Sequence, residues 1–335
     1  MRRGSLAPLG MTQFSPPFWL SNPHAQTIWG RVTRPRRLVP LRREVLTTPD
    51  DDDLIVDHLD GRGMRVVLLH GLEGSSNSVY IQGMLSVIRR HGFAATAMNF
   101  RSCALNEQGQ PIINRQPRLY HSGETTDFDF LVNALPDDMP LVAIGVSLGG
   151  NVLLKWLGEH PGQQRVQAAA TMSVPYDLAA GARHLEKSVL GRFYVRRFVL
   201  TLAKKAASVV QRFGPHGIDL PRARRASTFY DFDDAATAPL HGFEDAEDYW
   251  ARSSSIGYID RITTPTFCIS AEDDPFVPSD VLPRVRERAS DAVTLEITAC
   301  GGHTGFIGGA PWRCDYWAEE RLVAWLVESQ RDHHG

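Results

Sequence analysis

Residues 141–160 read LVAIGVSLGGNVLLKWLGEH, and they carry the clearest signal of the fold in the sequence. Its first six residues form a continuous apolar run, typical of a strand buried on both faces, and its second half has the pattern of a helix. Between them, Gly145-Val146-Ser147-Leu148-Gly149 matches G-x-S-x-G, a sharp strand-to-helix turn that exposes a serine oxygen. The two glycines let the strand and helix backbones approach closely, which a helix N-cap serine would not require. We therefore predict that Ser147 is a nucleophile.

Strand and helix patterns alternate on both sides of this turn. Upstream, a hairpin is predicted from residues 42–48 and 53–59, followed by strands at 64–70 and 94–100 and helices at about 79–91 and from about 124. Downstream, strands are predicted at 166–174, 264–271 and 292–299, and a closing helix at about 316–330. This alternation predicts an α/β fold, a mostly parallel central sheet flanked by helices.

The alternation is interrupted between about residues 176 and 262, where the sequence is helical and polar without a clear buried strand. Ligands in open α/β sheets bind at the carboxyl ends of strands, so we predict that this insertion is a helical cap over the site. Residues 1–40 are rich in Pro and Arg, and we expect an N-terminal arm lying over the core. Residues 41–335 then form one catalytic domain that contains the cap.

A nucleophilic serine needs a base and an orienting acid, which in this fold follow in the order serine, acid, histidine. Seven histidines follow Ser147, and only His303 comes directly after a predicted buried strand, through a loop with two glycines. The acid should end the preceding strand, where Glu272, Asp273 and Asp274 compete. The spacing from the last small residue of that strand favours Asp274, with the other two as alternatives.

The developing oxyanion needs two preorganised N–H donors. We predict the backbone N–H of Leu148, which follows the nucleophile, and that of Leu72, in the His70–Gly74 loop after the strand at 64–70. For His70 itself we expect a role in orienting this loop by hydrogen bonding, because it precedes Ser147 in the chain.

Composition excludes several classes of protein. Lys and Arg number 36 against 38 Asp and Glu, a formal net charge of -2, so there is no basic excess for binding nucleic acid. No apolar run reaches the roughly 18 residues that span a bilayer. The first 14 residues lack the apolar core of a signal peptide, so we predict a cytoplasmic protein.

Motifs for cofactors are also missing. The four cysteines form no CxxC pair, and neither G-x-G-x-x-G nor G-x-x-x-x-G-K-[ST] opens a helix after a strand. We expect no metal and no organic cofactor. Residues 188–210 mix apolar and basic positions, which indicates a cap helix with its charged face in water, and peripheral contact with anionic lipid is the alternative.

Several segments together resemble the YheT-like branch of the α/β-hydrolase superfamily, over about residues 18–328. They are NPHAQT (22–27), LLHGLEGSSNSVY (68–80), MNFRSC (98–103), RLYHSGETTDF (118–128), GVSLGGNVLLKWLGE (145–159), AEDDPFVP (271–278) and GGHTGF (301–306). The resemblance implies a Ser–Asp–His triad at Ser147, Asp274 and His303, and hydrolysis of carboxylic esters. Eukaryotic relatives are associated with acylglycerol, phospholipid and acyl-transfer chemistry.

We accordingly predict a serine carboxylesterase that cleaves short- to medium-chain acyl esters of small molecules through an acyl-enzyme. An acyltransferase or an acylglycerol lipase with the same triad remains an alternative. A non-catalytic binding module on the same fold is a third, because fold alone does not determine function.

Overall fold

The structure, a computed structural model, describes residues 13–34 and 39–334 of the 335-residue chain. The rest of the predicted arm, residues 1–12 and 35–38, lies outside the described residues. Strands are numbered in chain order: β1 Arg42–Thr47, β2 Asp53–Leu59, β3 Arg65–Leu69, β4 Ala94–Met98, β5 Leu141–Val146, β6 Val166–Met172, β7 Thr266–Ala271, β8 Val293–Thr298, β9 Ile307–Ala310 and β10 Arg313–Tyr316.

The first eight strands form one sheet in the order β1-β2-β4-β3-β5-β6-β7-β8. β1 and β2 pair as the predicted antiparallel hairpin, β2 is antiparallel to β4, and every pairing from β4 to β8 is parallel. The predicted mostly parallel α/β sheet is thus confirmed. β5, which leads into Ser147, lies between β3 and β6, so the carboxyl ends of these strands surround that residue.

Helices cover both faces of the sheet. They are α1 Pro23–Thr33, α2 Val79–Arg90, α3 Thr126–Ala134, α4 Leu148–Glu159, α5 Leu178–Glu186, α6 Val189–Phe213, α7 Leu220–Arg225, α8 Phe229–Phe232, α9 Ala238–His241, α10 Ala246–Ser253, α11 Val281–Arg288 and α12 Trp317–His334. The helices α2 and α12 pack on one face, and α3, α4 and α11 on the other. Side chains of β3 alternate between the two cores, because successive strand residues point to opposite faces. No helix in the described residues is both long and apolar enough to cross a membrane.

The chain between β6 and β7 contains α5–α10 and, in the residues described, no strand, as the sequence predicted. We call α5–α10 the helical insertion. It has an apolar core of its own, centred on Val195 and Val199 of α6 and Phe232 of α8. Since these helices bury apolar side chains against one another, they form a layer distinct from the helices that pack on the sheet.

Helix α1 and the β9–β10 hairpin were not predicted from the sequence. The signal for α1 was present, because Asn22 followed by Pro23 is a favourable N-cap and first helical residue. The Asn22 side chain accepts hydrogen bonds from the N–H groups of His24 and Ala25. The described part of the arm is therefore an ordered helix.

Candidate active site

Ser147 occupies a strained turn between β5 and α4. Its φ is +53° and its ψ is -121°, a conformation that a non-glycine residue adopts only where surrounding structure imposes it. A Cβ on Gly145 would lie 2.6 Å from the carbonyl oxygen of Gly149, and a Cβ on Gly149 would lie 2.5 Å from that of Leu69. Both glycines of G-x-S-x-G are thus needed for close backbone packing, which holds the serine at this angle.

The structure brings Ser147, His303 and Asp274 together. His303 Nε2 lies 2.9 Å from Ser147 Oγ, and His303 Nδ1 lies 3.0 and 2.9 Å from the two carboxylate oxygens of Asp274. Asp274 is 3% exposed and follows β7, and His303 is 9% exposed and follows β8. A proton on Nδ1 held by the carboxylate leaves Nε2 free to accept the proton of the serine hydroxyl.

The two competing acids occupy other positions. Asp273 Oδ1 accepts a hydrogen bond from the N–H of Gly302 at 2.9 Å, and partial burial raises the pKa of its carboxyl. Glu272 is exposed. Asp273 therefore contacts the glycine loop before His303 and not its imidazole ring.

The loop after β3 lies against Ser147, since a Cβ on Gly71 would be 3.1 Å from Ser147 Cβ. Three of its N–H groups are engaged: that of Gly71 by the Tyr80 hydroxyl, that of Glu73 by the Tyr120 hydroxyl, and that of Gly74 by the Gly71 carbonyl. Within the described residues, the N–H of Leu72 has no acceptor. It is thus the donor in this loop that remains available to a ligand.

Leu148 begins α4, and the first N–H groups of a helix have no acceptor within the helix. These groups carry the positive end of the helix dipole, which favours a negative charge beside Ser147.

His70 is buried, and both its ring nitrogens contact backbone. Nδ1 donates to the Gly71 carbonyl at 2.8 Å, and Nε2 accepts from the Phe100 N–H at 3.1 Å. Burial lowers the pKa of His70 to about 3, so the ring is neutral. These bonds fix the loop that carries Leu72 and leave no ring nitrogen for Ser147.

Helix α1 supplies residues that sequence reasoning missed. Thr27 Oγ1 accepts the N–H of His303 at 3.0 Å. The Gln26 amide donates to the carbonyl of Ile307 and accepts its N–H, at 2.9 and 2.8 Å. The NPHAQT segment therefore holds the loop that carries His303. The resemblance singled out this segment, but nothing local in the sequence connects residues 276 positions apart.

A second unpredicted contact joins the helical insertion to the loop after β3. Lys205 of α6 is buried, and its Nζ lies 2.6 Å from Glu73 Oε1 and 3.1 Å from Cys103 Sγ. Burial opposes the charge of Lys205, but Cys103 and Glu73 outweigh it and raise its pKa. The Tyr120 hydroxyl also donates to Glu73 Oε1, at 2.9 Å. This buried group lies one residue from Leu72.

A cavity of about 530 Å³ opens onto Ser147, His303 and Leu148. Its walls come from the loops after the strands, from α1 and from the helical insertion. The apolar part includes Leu178, Ala182, Leu185, Phe198, Leu202 and Phe229. This volume lies in the range of sites that enclose a small organic molecule.

The sheet order, with a serine on the turn after β5 and a histidine after β8, defines an α/β hydrolase. The model of the α/β hydrolase fold family matches residues 65–310. YheT of Escherichia coli (strain K12), named as a candidate esterase, is 35% identical over 324 residues, covering 94% of this chain and 93% of YheT. The chain belongs to the YheT-like branch of the α/β-hydrolase superfamily.

More distant relatives are also named for ester hydrolysis. Phospholipase ABHD3 of Mus musculus is 27% identical, covering 97% of this chain and 80% of that protein. A monoacylglycerol lipase of Saccharomyces cerevisiae is 29% identical, covering 85% of this chain and 63% of that protein. The chain is therefore a hydrolase of the esterase and lipase type.

Solved structures support the fold alone. The esterase Pf2001 of Pyrococcus furiosus superposes with a TM-score of 0.58 at 15% identity, covering 97% of this chain and 99% of that one. The mouse α/β hydrolase domain-containing protein 10 superposes with a TM-score of 0.54 at 12% identity, covering 88% of this chain and 100% of that one.

Proposed function

We propose that the protein is a serine carboxylesterase in which Ser147 is the nucleophile, His303 the general base and Asp274 the orienting acid. The observation that carries this proposal is the 2.9 Å contact between Ser147 Oγ and His303 Nε2, with Asp274 on the other ring nitrogen. Ser147 and His303 also line a cavity large enough for an acyl ester.

In the first half of the reaction, Ser147 Oγ attacks the ester carbonyl while His303 Nε2 takes the hydroxyl proton. The carbonyl oxygen becomes negative, and the N–H groups of Leu72 and Leu148 stabilise it. Asp274 holds the ring in the required tautomer and stabilises the imidazolium. His303 then returns the proton to the leaving alcohol as the C–O bond breaks, which leaves an acyl-enzyme.

In the second half, a water molecule gives its proton to His303 and attacks the acyl carbon. The tetrahedral intermediate collapses to the carboxylic acid and free Ser147, whose proton comes back from His303.

For the helical insertion we propose the role of a cap, over about residues 176–262. Its apolar side chains line the cavity next to Ser147, and they would surround an acyl chain of short to medium length. Closing such a layer over the ester would exclude bulk water from the oxyanion.

A second candidate is an acylglycerol lipase or acyltransferase with the same triad. The apolar walls contributed by α5 and α6 favour a lipid-like acyl group. In acyl transfer an alcohol replaces water in the second half of the reaction, and Ser147 and His303 keep their roles.

The proposal is tested by hydrolysis of p-nitrophenyl esters from acetate to laurate, which is measured through the absorbance of the released p-nitrophenol. We expect turnover with the highest kcat/KM on short to medium chains, and its loss in Ser147→Ala. The matched control is Ser279→Ala, at an exposed serine that does not line the cavity. Turnover retained in Ser147→Ala would overturn the assignment.

A second assay separates the candidates. Monoacylglycerol is offered with and without added alcohol, and free acid and new ester are quantified. Acid as the main product supports an esterase or lipase, and new ester at the expense of acid supports a transferase. Preference for the monoacylglycerol over the p-nitrophenyl esters would favour the lipase.

A further inference from the structure

The outward side of α6 combines exposed apolar side chains with unpaired cations. We propose that this side is a docking face for an anionic phospholipid bilayer, and that it brings the cavity mouth to the membrane surface. The docking face consists of Val189, Arg192, Phe193, Arg196 and Leu200. The inference concerns binding, so it can be tested without measuring turnover.

The apolar part of the docking face lies along one stripe. At 100° per residue, Val189, Phe193 and Leu200 fall within about 40° of one another around the helix. They are 74%, 55% and 52% exposed, while Val195 and Val199, which lie outside this stripe, are buried in the core of the insertion. α6 thus has a second apolar stripe that no described part of the protein covers.

Exposed apolar side chains are concentrated on the helices α1 and α6. Ten large ones are exposed in the described residues, and six of them belong to α1 and α6. Scattered exposed apolar residues are ordinary on a protein surface, but a contiguous group marks an interaction site.

Cations flank the stripe. Helix α6 contains six Arg and Lys residues and no Asp or Glu. Its outward cations Arg192, Arg196, Arg197 and Lys204 form no ion pair with any carboxylate among the residues described. The whole chain carries a net charge of only -2, so this is a local positive surface that complements anionic headgroups.

The docking face lies beside residues that line the cavity. Arg197 and Thr201 of α6 and Ile28 and Arg31 of α1 line the same cavity as Ser147. The two helices meet where His24 Nδ1 lies 3.2 Å from the Tyr194 hydroxyl. A surface that touches the docking face therefore lies next to residues that line the cavity.

A bilayer is the occupant that both features fit. Apolar side chains enter the boundary between headgroups and acyl chains, and flanking arginines reach the phosphates. The apolar stripe alone would fit a second copy of the chain, but the unpaired cations would then face one another across the interface.

The test is co-sedimentation of the full chain with vesicles of ether-linked lipids, which contain no ester to hydrolyse. We expect binding to phosphatidylcholine mixed with phosphatidylglycerol at least tenfold tighter than to phosphatidylcholine alone, and weakened by salt. The double variants Phe193→Ser/Leu200→Ser and Arg192→Glu/Arg196→Glu should each weaken binding to these vesicles by about tenfold or more. Arg286→Glu/Arg288→Glu on α11, which makes the same change in charge away from the cavity, should bind as the parent does.

Four results would overturn the proposal: no preference for phosphatidylglycerol, equal loss in the α11 pair, unchanged binding in Phe193→Ser/Leu200→Ser, or a dimer that this last variant converts to a monomer. The last is read by light scattering. The thermal unfolding midpoint of each variant shows that it is folded, and the two pairs of α6 substitutions test the face independently.

Discussion

Lys205 Nζ on α6 lies 2.6 Å from Oε1 of Glu73, the residue after Leu72 in the loop that follows β3. Lys205 is buried and Glu73 is partly buried, and the pair joins the helical insertion directly to the loop that supplies a proposed oxyanion donor. Removing one member of a buried ion pair leaves the other charge uncompensated, which costs more than the pair contributes. The loop position thus depends on a residue 132 positions away.

Replacing Lys205 by methionine should therefore impair the reaction through the loop. In Lys205→Met we expect kcat on p-nitrophenyl butyrate to fall about tenfold or more, because the Leu72 N–H loses its position. Glu73→Gln in the same chain should restore part of the loss, since the unpaired charge is gone. Lys187→Met, at an exposed lysine of the insertion, is the control. An unchanged kcat in Lys205→Met contradicts this role for the pair.

The choice between neighbouring acids can be decided by two isosteric changes. Asp274→Asn should lower kcat by about 10⁴-fold, because the amide cannot hold His303 in the required tautomer. Asp273→Asn keeps an acceptor for the Gly302 N–H, and we expect a change of less than about tenfold. Steady-state kinetics on one ester measures both. The opposite ranking would assign the acid to Asp273.

Thr27 should act on the rate through the histidine loop. Thr27→Val removes the acceptor for the His303 N–H while keeping the side-chain shape. We expect kcat to fall several-fold to about tenfold, and the free energy of unfolding to fall by only about 1 kcal/mol. Thr33→Val, at the exposed end of α1, serves as the control for the helix. Equal kinetics in both variants would refute the role of Thr27.

The raised pKa of Asp233 should make the free energy of unfolding depend on pH. Burial raises the pKa of its carboxyl from 3.8 to about 6, and its oxygens accept from Thr237 Oγ1 at 2.7 Å and Trp250 Nε1 at 2.9 Å. The folded state thus favours the protonated acid, so this contribution to stability is complete below about pH 4 and is lost as the pH rises through about 6.

The variant Asp233→Asn resembles the protonated acid at every pH. Relative to it, the parent should lose on the order of 3 kcal/mol in free energy of unfolding between about pH 4 and 7. Urea unfolding of both proteins at several pH values measures this difference. A difference that does not vary with pH would show that Asp233 titrates normally.

The sequence was sufficient for features set by neighbouring residues. The strands from β3 to β7 were predicted because buried parallel strands are largely continuous apolar runs. The edge strand β8 was also expected to be buried, but it is partly exposed. The turn at Ser147 was predicted because the glycines that it needs are neighbours in the sequence. Contacts between distant parts of the chain were not predicted. Thr27 with His303 and Lys205 with Glu73 meet only through the tertiary fold, and neither residue type nor spacing indicates such a partner.

The choice of the orienting acid also depended on side-chain contacts that the sequence does not show. Counting along the strand end favoured Asp274 over Asp273, but their different hydrogen bonds follow from the direction of each side chain in the turn after β7. Helix α1 was missed for another reason, because its start signal at Asn22 and Pro23 is clear but its apolar periodicity is weak.

Covalent labelling determines whether Ser147 is a nucleophile activated by His303. The protein is incubated with a fluorophosphonate, its intact mass is measured, and the modified peptide is sequenced. We expect one adduct, on Ser147, that is absent in Ser147→Ala and strongly slowed in His303→Ala. No adduct, or an adduct on another residue that persists in Ser147→Ala, would show that Ser147 is not the nucleophile.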